Sequence, residues 1–243
     1  FRTIASGYWS DYETTWQYYN GSAWVTAPWQ PGASDEVITI RSGHIVTTDF
    51  WCSYTDQCII GNGATLIAAG SQFKISNGTG IDLDVYGTFT VNAATSTNSG
   101  STIVLNSGSN FIAGSSGQIS GTGNFTLSGG ATLKTANVSG VNGSLTTSGT
   151  KSLSTGANFE FNGSSAQVTG TYMPSTVNNL TINNSAGITL SQPTIVSGTL
   201  ALTSGLLTLG SNNLTVGASG SIAGTPSATN MVVAEGTGQL IKA

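Results

Sequence analysis

Residues 178–217 read NNLTINNSAGITLSQPTIVSGTLALTSGLLTLGSNNLTVG. Leu180 and Ile182 flank Thr181, Leu200 and Leu202 flank Ala201, and Leu214 and Val216 flank Thr215. Apolar residues alternating with small or hydroxyl-bearing ones have the period of two expected of a strand with one buried face. Between the runs lie Ser197-Gly198, Ser204-Gly205 and Gly210-Ser211, pairs that favour tight turns. Strands of three to five residues cannot bury a face alone. Stacked in parallel, they form a continuous core.

The same texture extends back to about residue 35. It recurs in Val37–Ile40, Thr65–Ile67, Phe73–Ile75, Thr88–Val91, Thr102–Leu105, Asn124–Leu127 and Asn158–Phe161. A loose phrase of Gly followed by Thr-Leu or its equivalents marks successive turns, as in Gly63-Ala64-Thr65-Leu66, Gly130-Ala131-Thr132-Leu133 and Gly198-Thr199-Leu200. A coil of roughly 18–30 residues is expected of such repeats. Hairpins would favour strands nearer five to six residues, with more charged and aromatic cross-strand pairs. The reading is therefore an all-β chain folded as a right-handed parallel β-helix (β-solenoid), with a β-sandwich array as the alternative. Alternation predicts that Ile38, Ile40, Leu66, Phe73, Ile75, Phe89, Val91, Ile103, Leu105, Phe125, Leu127, Phe159 and Phe161 face inward, together with the six apolar residues named above.

Composition agrees. Gly, Ser, Thr and Asn make up about half of the 243 residues, and only 7% are charged, against roughly 25% in an ordinary soluble domain. Surface helices need long charged side chains on their wet face, so a helical protein is excluded. Frequent β-branched residues argue against disorder. A formal charge of −4 provides no basic footprint for nucleic acid, and no apolar run is long enough to span a bilayer.

The chain divides unequally. All five Trp lie at or before residue 51 (Trp9, Trp16, Trp24, Trp29 and Trp51), with Pro28, Pro31 and Gly32 as punctuation near the end of the aromatic head. Residues 1–34 are read as an aromatic N-terminal cap and 35–243 as the solenoid, which is open to continuation in further sequence. A terminal coil needs such a cap because its open strand edge templates aggregation. Cys52 and Cys58 have five residues between them. This spacing suits a small disulfide loop; two free thiols remain an alternative, and the second ligand pair of a structural zinc site is missing. A disulfide would place the chain in an oxidising, extracytoplasmic compartment. The start at Phe1, without Met, suits a mature, processed form or a fragment of a longer chain.

The opening FRTIASGYWSDYETTWQYYNGSAW (1–24), followed by PGASDEVITIRSGHIVTT (31–48), resembles the start of large secreted surface proteins of Bacteroidetes. Residues 178–217 are similar to their low-charge solenoid segments, and the closing GTGQLIKA (236–243) to a phrase at which such segments pass into further domains. The resemblance implies export by the type IX secretion system, an extracellular or outer-surface location, and a role as an adhesin segment or as the carrier of other domains. The Cys52–Cys58 stretch departs from the pattern.

Chemistry finds few candidates. Asp82 and Asp84 are an i, i+2 pair that would share a solvated strand face, with a calcium role as the alternative. His44 is the only histidine and reads as a turn residue bonded to backbone. Asp35-Glu36 opens the first coil, where its carboxylates would bond turn amides or hold a cation. Asn20-Gly21-Ser22, Asn124-Phe125-Thr126 and Asn213-Leu214-Thr215 match the glycosylation triplet, as a chain of this composition does by chance. The expectation is a non-enzymatic stalk or attachment scaffold with no catalytic residues, metal or cofactor. The alternatives are a carbohydrate-binding module using Trp9, Trp16, Trp24, Trp29 and Trp51, or a β-helix enzyme acting on polysaccharide, which would need clustered carboxylates.

Overall fold

In a computed structural model, residues 1–49, 55–69 and 73–243 are described. They form a β-solenoid of about 9 turns. Parallel strands stack into long ladders because each coil repeats the inward apolar positions of the one before it. One ladder runs through Ile38–Ile40, Cys58–Ile60, Leu83–Val85, Thr102–Leu105, Asn124–Leu127 and Lys151–Leu153. A second runs through Ile45–Thr47, Thr65–Ala68, Thr88–Val91, Asn110–Ala113, Thr132–Thr135, Asn158–Phe161, Leu180–Asn183 and Thr199–Thr208. A short third ladder joins Lys74–Ile75, Ala94–Thr97 and Gln118–Gly121. Towards the C-terminus a four-stranded ladder comprises Thr176–Val177, Thr194–Val196, Leu214–Val216 and Leu240–Lys242.

Register sets the coil length. Leu180 lies beside Leu200, and Leu214 beside Leu240, so coils range from twenty to twenty-six residues among these pairs. Extra residues are absorbed at corners: between Leu133 and its neighbour Phe159 the chain makes the short helix Gly140–Ser144. The long strand Thr199–Thr208 turns a corner without breaking, pairing first with Leu180–Asn183 and then with Ile188–Thr189. Gly205 permits this bend. Its φ is +92°, and a Cβ there would lie 1.8 Å from the Asn184 carbonyl oxygen.

All the inward positions expected from alternation are buried, from Ile38 to Val216. A row of rings runs along the interior: Phe73, Phe89, Phe111 and Phe125 follow one another at 6.3, 5.9 and 5.3 Å between centroids. Stacking like on like gives each ring an edge or tilted contact, the geometry that aromatic quadrupoles favour.

The aromatic head is built in two ways. Arg2–Thr3 pairs in parallel with Ile38–Ile40, and Gly7–Tyr8 with Ile45–Thr47, so the first residues lie on the solenoid ladders. The next strands reverse direction. Trp16–Tyr19 pairs antiparallel with Arg2–Thr3, and Trp24–Thr26 pairs antiparallel with Trp16–Tyr19. The hairpin turns at Asn20, whose side-chain oxygen accepts from the Ser22 and Ala23 amides, while Gly21 takes φ +92°. Trp9 and Trp16 are fully buried beneath it, 5.0 Å apart and edge to face, and Trp9 continues the interior row to Phe73 at 5.9 Å. Their indole N–H groups donate to the carbonyls of Pro31 and Trp9.

Candidate functional site

Asp82 corrects the sequence reading of a solvated pair. The strand begins one residue later, at Leu83, and Asp82 is fully buried at the corner before it. Its carboxylate accepts from the Gly78 amide at 2.6 Å and from the Thr102 amide at 2.6 Å, the latter on the next coil. Asp84 stays at the surface, where it accepts from the Asn106 amide group at 2.6 Å. Its hydrogen bond and charge hold the exposed Tyr86 phenol above its ordinary pKa. Both carboxylates serve the joints between coils. His44 also differs in its partner: Nδ1 lies 2.7 Å from the Thr3 hydroxyl, which accepts from the Arg41 amide. The ring thus ties the first strand to the following turn.

Asp35 bonds a turn amide as its position suggested, accepting from the Gly32 amide at 2.8 Å. Among the described residues no group of three or more His, Cys, Asp or Glu is placed to hold a metal ion. Cys58 is buried in its strand, and burial pushes its thiol pKa up to about 12. Cys52 and Trp51 lie outside the described residues, and so does the expected pairing of Cys52 with Cys58.

A concave feature lined by exposed aromatic rings lies on the capping hairpin. Burial separates the tryptophans: Trp9 and Trp16 are out of a ligand's reach, whereas Trp24 is 38% and Trp29 51% exposed. Trp29 meets Tyr18 at 5.5 Å and Phe1 at 6.4 Å, and Tyr19 meets Trp24 at 5.6 Å. These rings line a groove of about 490 Å³ whose other wall is Ser34, Asp35, Glu36 and Val37. That volume falls within the usual range for small-ligand clefts. Arg2 lies 4.0 Å from the Trp24 ring centre and donates to Gln17, which fixes that indole from one side.

A second groove of about 500 Å³ opens across the same Ser34–Glu36 ridge, edged by Asp56, Gln57 and Thr79. Burial, and then the nearby Asp82 charge, raise the Asp56 carboxyl above its ordinary pKa. One Asp56 oxygen is buried without a hydrogen-bond partner. The head sequence alone shows no polar cluster beside the tryptophans; folding brings Asp35 and Glu36 to the groove from the first coil. Comparison with known proteins finds no matching family model, no matching curated protein and no matching solved structure.

Proposed function

We propose that the chain is a non-enzymatic scaffold segment of a secreted, cell-surface protein, acting as a stalk or attachment module that presents further domains. One observation carries this reading: one continuous apolar core runs through coils whose outer face is rich in Ser, Thr, Asn and Gly. Such a surface stays hydrated without a strong field, and the stack resists bending because each coil hydrogen-bonds to both neighbours. At roughly 4.8 Å per coil, about 9 turns give a body near 43 Å long. Three carboxylates act mechanically: Asp35, Asp82 and Asp84 hold turns and coil joints. The Bacteroidetes resemblance supports export by the type IX route and a place on the outer surface.

Attachment through the head groove is the second reading, favoured by exposed Trp29 beside Glu36. The scaffold reading is tested by a reducing-end assay on a polysaccharide panel. It expects no turnover. Release of reducing ends by purified protein would overturn it.

A further inference from the structure

We propose that the groove between the capping hairpin and the first coil binds a neutral polysaccharide, and that its carboxylates select against anionic glycans. The proposal rests on the reading of the chain as a surface-exposed scaffold. Its starting point is a contrast within the head. Trp9 and Trp16 are fully buried, as a cap alone requires, yet Tyr19 remains 53% and Trp29 51% exposed on the outer side. Leaving large rings in water forgoes the burial that drives folding. Trp29 is packed with two half-buried rings, since Phe1, Tyr18 and Trp29 touch in a triangle whose centroids are 5.5 to 6.4 Å apart, and Tyr19 pairs with Trp24 at 5.6 Å.

A triangle that tight leaves no room for a ligand between the rings, so the surface works from above, as a platform. A pyranose ring fits such a surface. Its axial C–H face is apolar and lies on aromatic carbon, while its equatorial hydroxyls project sideways and need acceptors. The groove supplies them on the facing wall. Glu36 is exposed, and Asp35 has one oxygen committed to Gly32. Apolar rings with a few placed polar groups are the usual make-up of a specific small-ligand cleft.

Charge determines the class of glycan. Asp35 and Glu36 border both grooves, and Asp56 edges the second. Both cations at the hairpin are engaged: Arg2 is stacked on Trp24 and bonded to Gln17, and the Phe1 ammonium donates to the Val37 carbonyl. A uronate or sulfated chain laid along the ridge would bring like charges together in a partly desolvated site, whereas a neutral chain donates its hydroxyls to the same carboxylates. The shared ridge also gives direction: a chain stacked on Trp29 can cross Ser34–Glu36 into the second groove.

The test is isothermal titration of the whole chain with soluble hexasaccharides of β-glucan, xylan and mannan type, and with oligogalacturonate. The expected result is saturable binding of at least one neutral hexasaccharide, and at least tenfold weaker binding of oligogalacturonate at low salt. Trp29→Ala and Tyr19→Ala should each lower affinity at least tenfold while leaving the thermal midpoint and circular dichroism unchanged. Glu36→Gln should weaken neutral binding severalfold and narrow the gap to oligogalacturonate. Failure of every neutral hexasaccharide to bind, equal or tighter binding of the uronate, or full affinity in Trp29→Ala would each overturn the proposal. An intact fold that binds nothing sinks the groove alone. Cleavage of a bound hexasaccharide sinks the non-enzymatic reading and leaves the groove standing.

Discussion

Replacing Phe111 by Ala should cut the interior row at its middle. The ring is fully buried, lies 5.9 Å from Phe89 and 5.3 Å from Phe125, and sits in register between Phe89 and Leu133. Loss of transfer free energy accounts for about 2–3 kcal/mol. Neighbours are held by backbone ladders on both sides, so the gap cannot close fully. A residual cavity of roughly 70 Å³ at about 24 cal/mol per Å³ adds about 1.7 kcal/mol. The sum, near 4 kcal/mol, falls inside the usual range for Phe to Ala, about 3–5 kcal/mol. The adjacent Ile112 points outward and is half-buried, so Ile112→Ala should cost about 1 kcal/mol or less.

The assay is urea unfolding followed by two probes. All five tryptophans lie in the first 51 residues, so fluorescence reports the head while far-ultraviolet circular dichroism reports every coil. Repeat arrays depart from two-state behaviour when one interface weakens. Phe111→Ala should therefore move the circular-dichroism midpoint further than the fluorescence midpoint. Equal losses in Phe111→Ala and Ile112→Ala would refute the inward register, and coincident shifts in both probes would refute coil-by-coil coupling.

Asp82→Ala should destabilise by about 2–4 kcal/mol, because two buried amides lose their acceptor; a chemical-denaturation loss under 1 kcal/mol would contradict that role. If Cys58 is a free thiol, its burial and a pKa of about 12 should keep it silent to a thiol reagent at pH 8 in the folded chain. The unfolded chain therefore decides: without reductant, release of two thiols would remove the expected bridge to Cys52, and release of none would support it. Asp56, whose carboxyl is raised by burial and by Asp82, binds its proton more tightly folded than unfolded. Its stabilising contribution is thus fully present below the unfolded value and is lost as pH rises through the folded one. Asp56→Asn should raise the thermal midpoint at pH 7 relative to wild type more than at pH 3, and the opposite order would refute the sign.

The strands legible in the sequence are those whose inward residues are apolar. Thr88–Val91, Thr102–Leu105, Asn124–Leu127 and Asn158–Phe161 appear in the structure with those bounds. The middle strand of the third ladder, Ala94–Thr97, was hidden because its inward residues are polar. Thr95 and Thr97 are buried in Ala94–Thr97, and Thr97 satisfies itself by donating to the Ser120 carbonyl and accepting from the Gly123 amide. Such a strand carries no hydrophobic period. Asp82 was misread for a related reason: its partners include Thr102, twenty residues away, so no local pattern announces that it is buried. The groove depends on a hairpin register that pairs Gln17 with Thr26 and on a coil that returns Asp35 and Glu36 to the same place. The tryptophans were visible in the sequence, but which of them stayed in water was not.

The ladder register has a consequence for heredity. Phe89, Phe111 and Leu133 are direct neighbours at intervals of twenty-two residues, and each strand sees only the coil before and the coil after it. An in-frame duplication of one such interval would therefore hand every residue a neighbour of the kind it already has. Most insertions in a globular domain break contacts made across the whole fold, whereas here a whole-coil insertion lengthens the body by one layer, roughly 4.8 Å. Length in this architecture is a quantity that slippage between similar Ser/Thr/Gly-rich coding repeats can adjust in discrete steps, leaving the hairpin and its groove at the far end untouched.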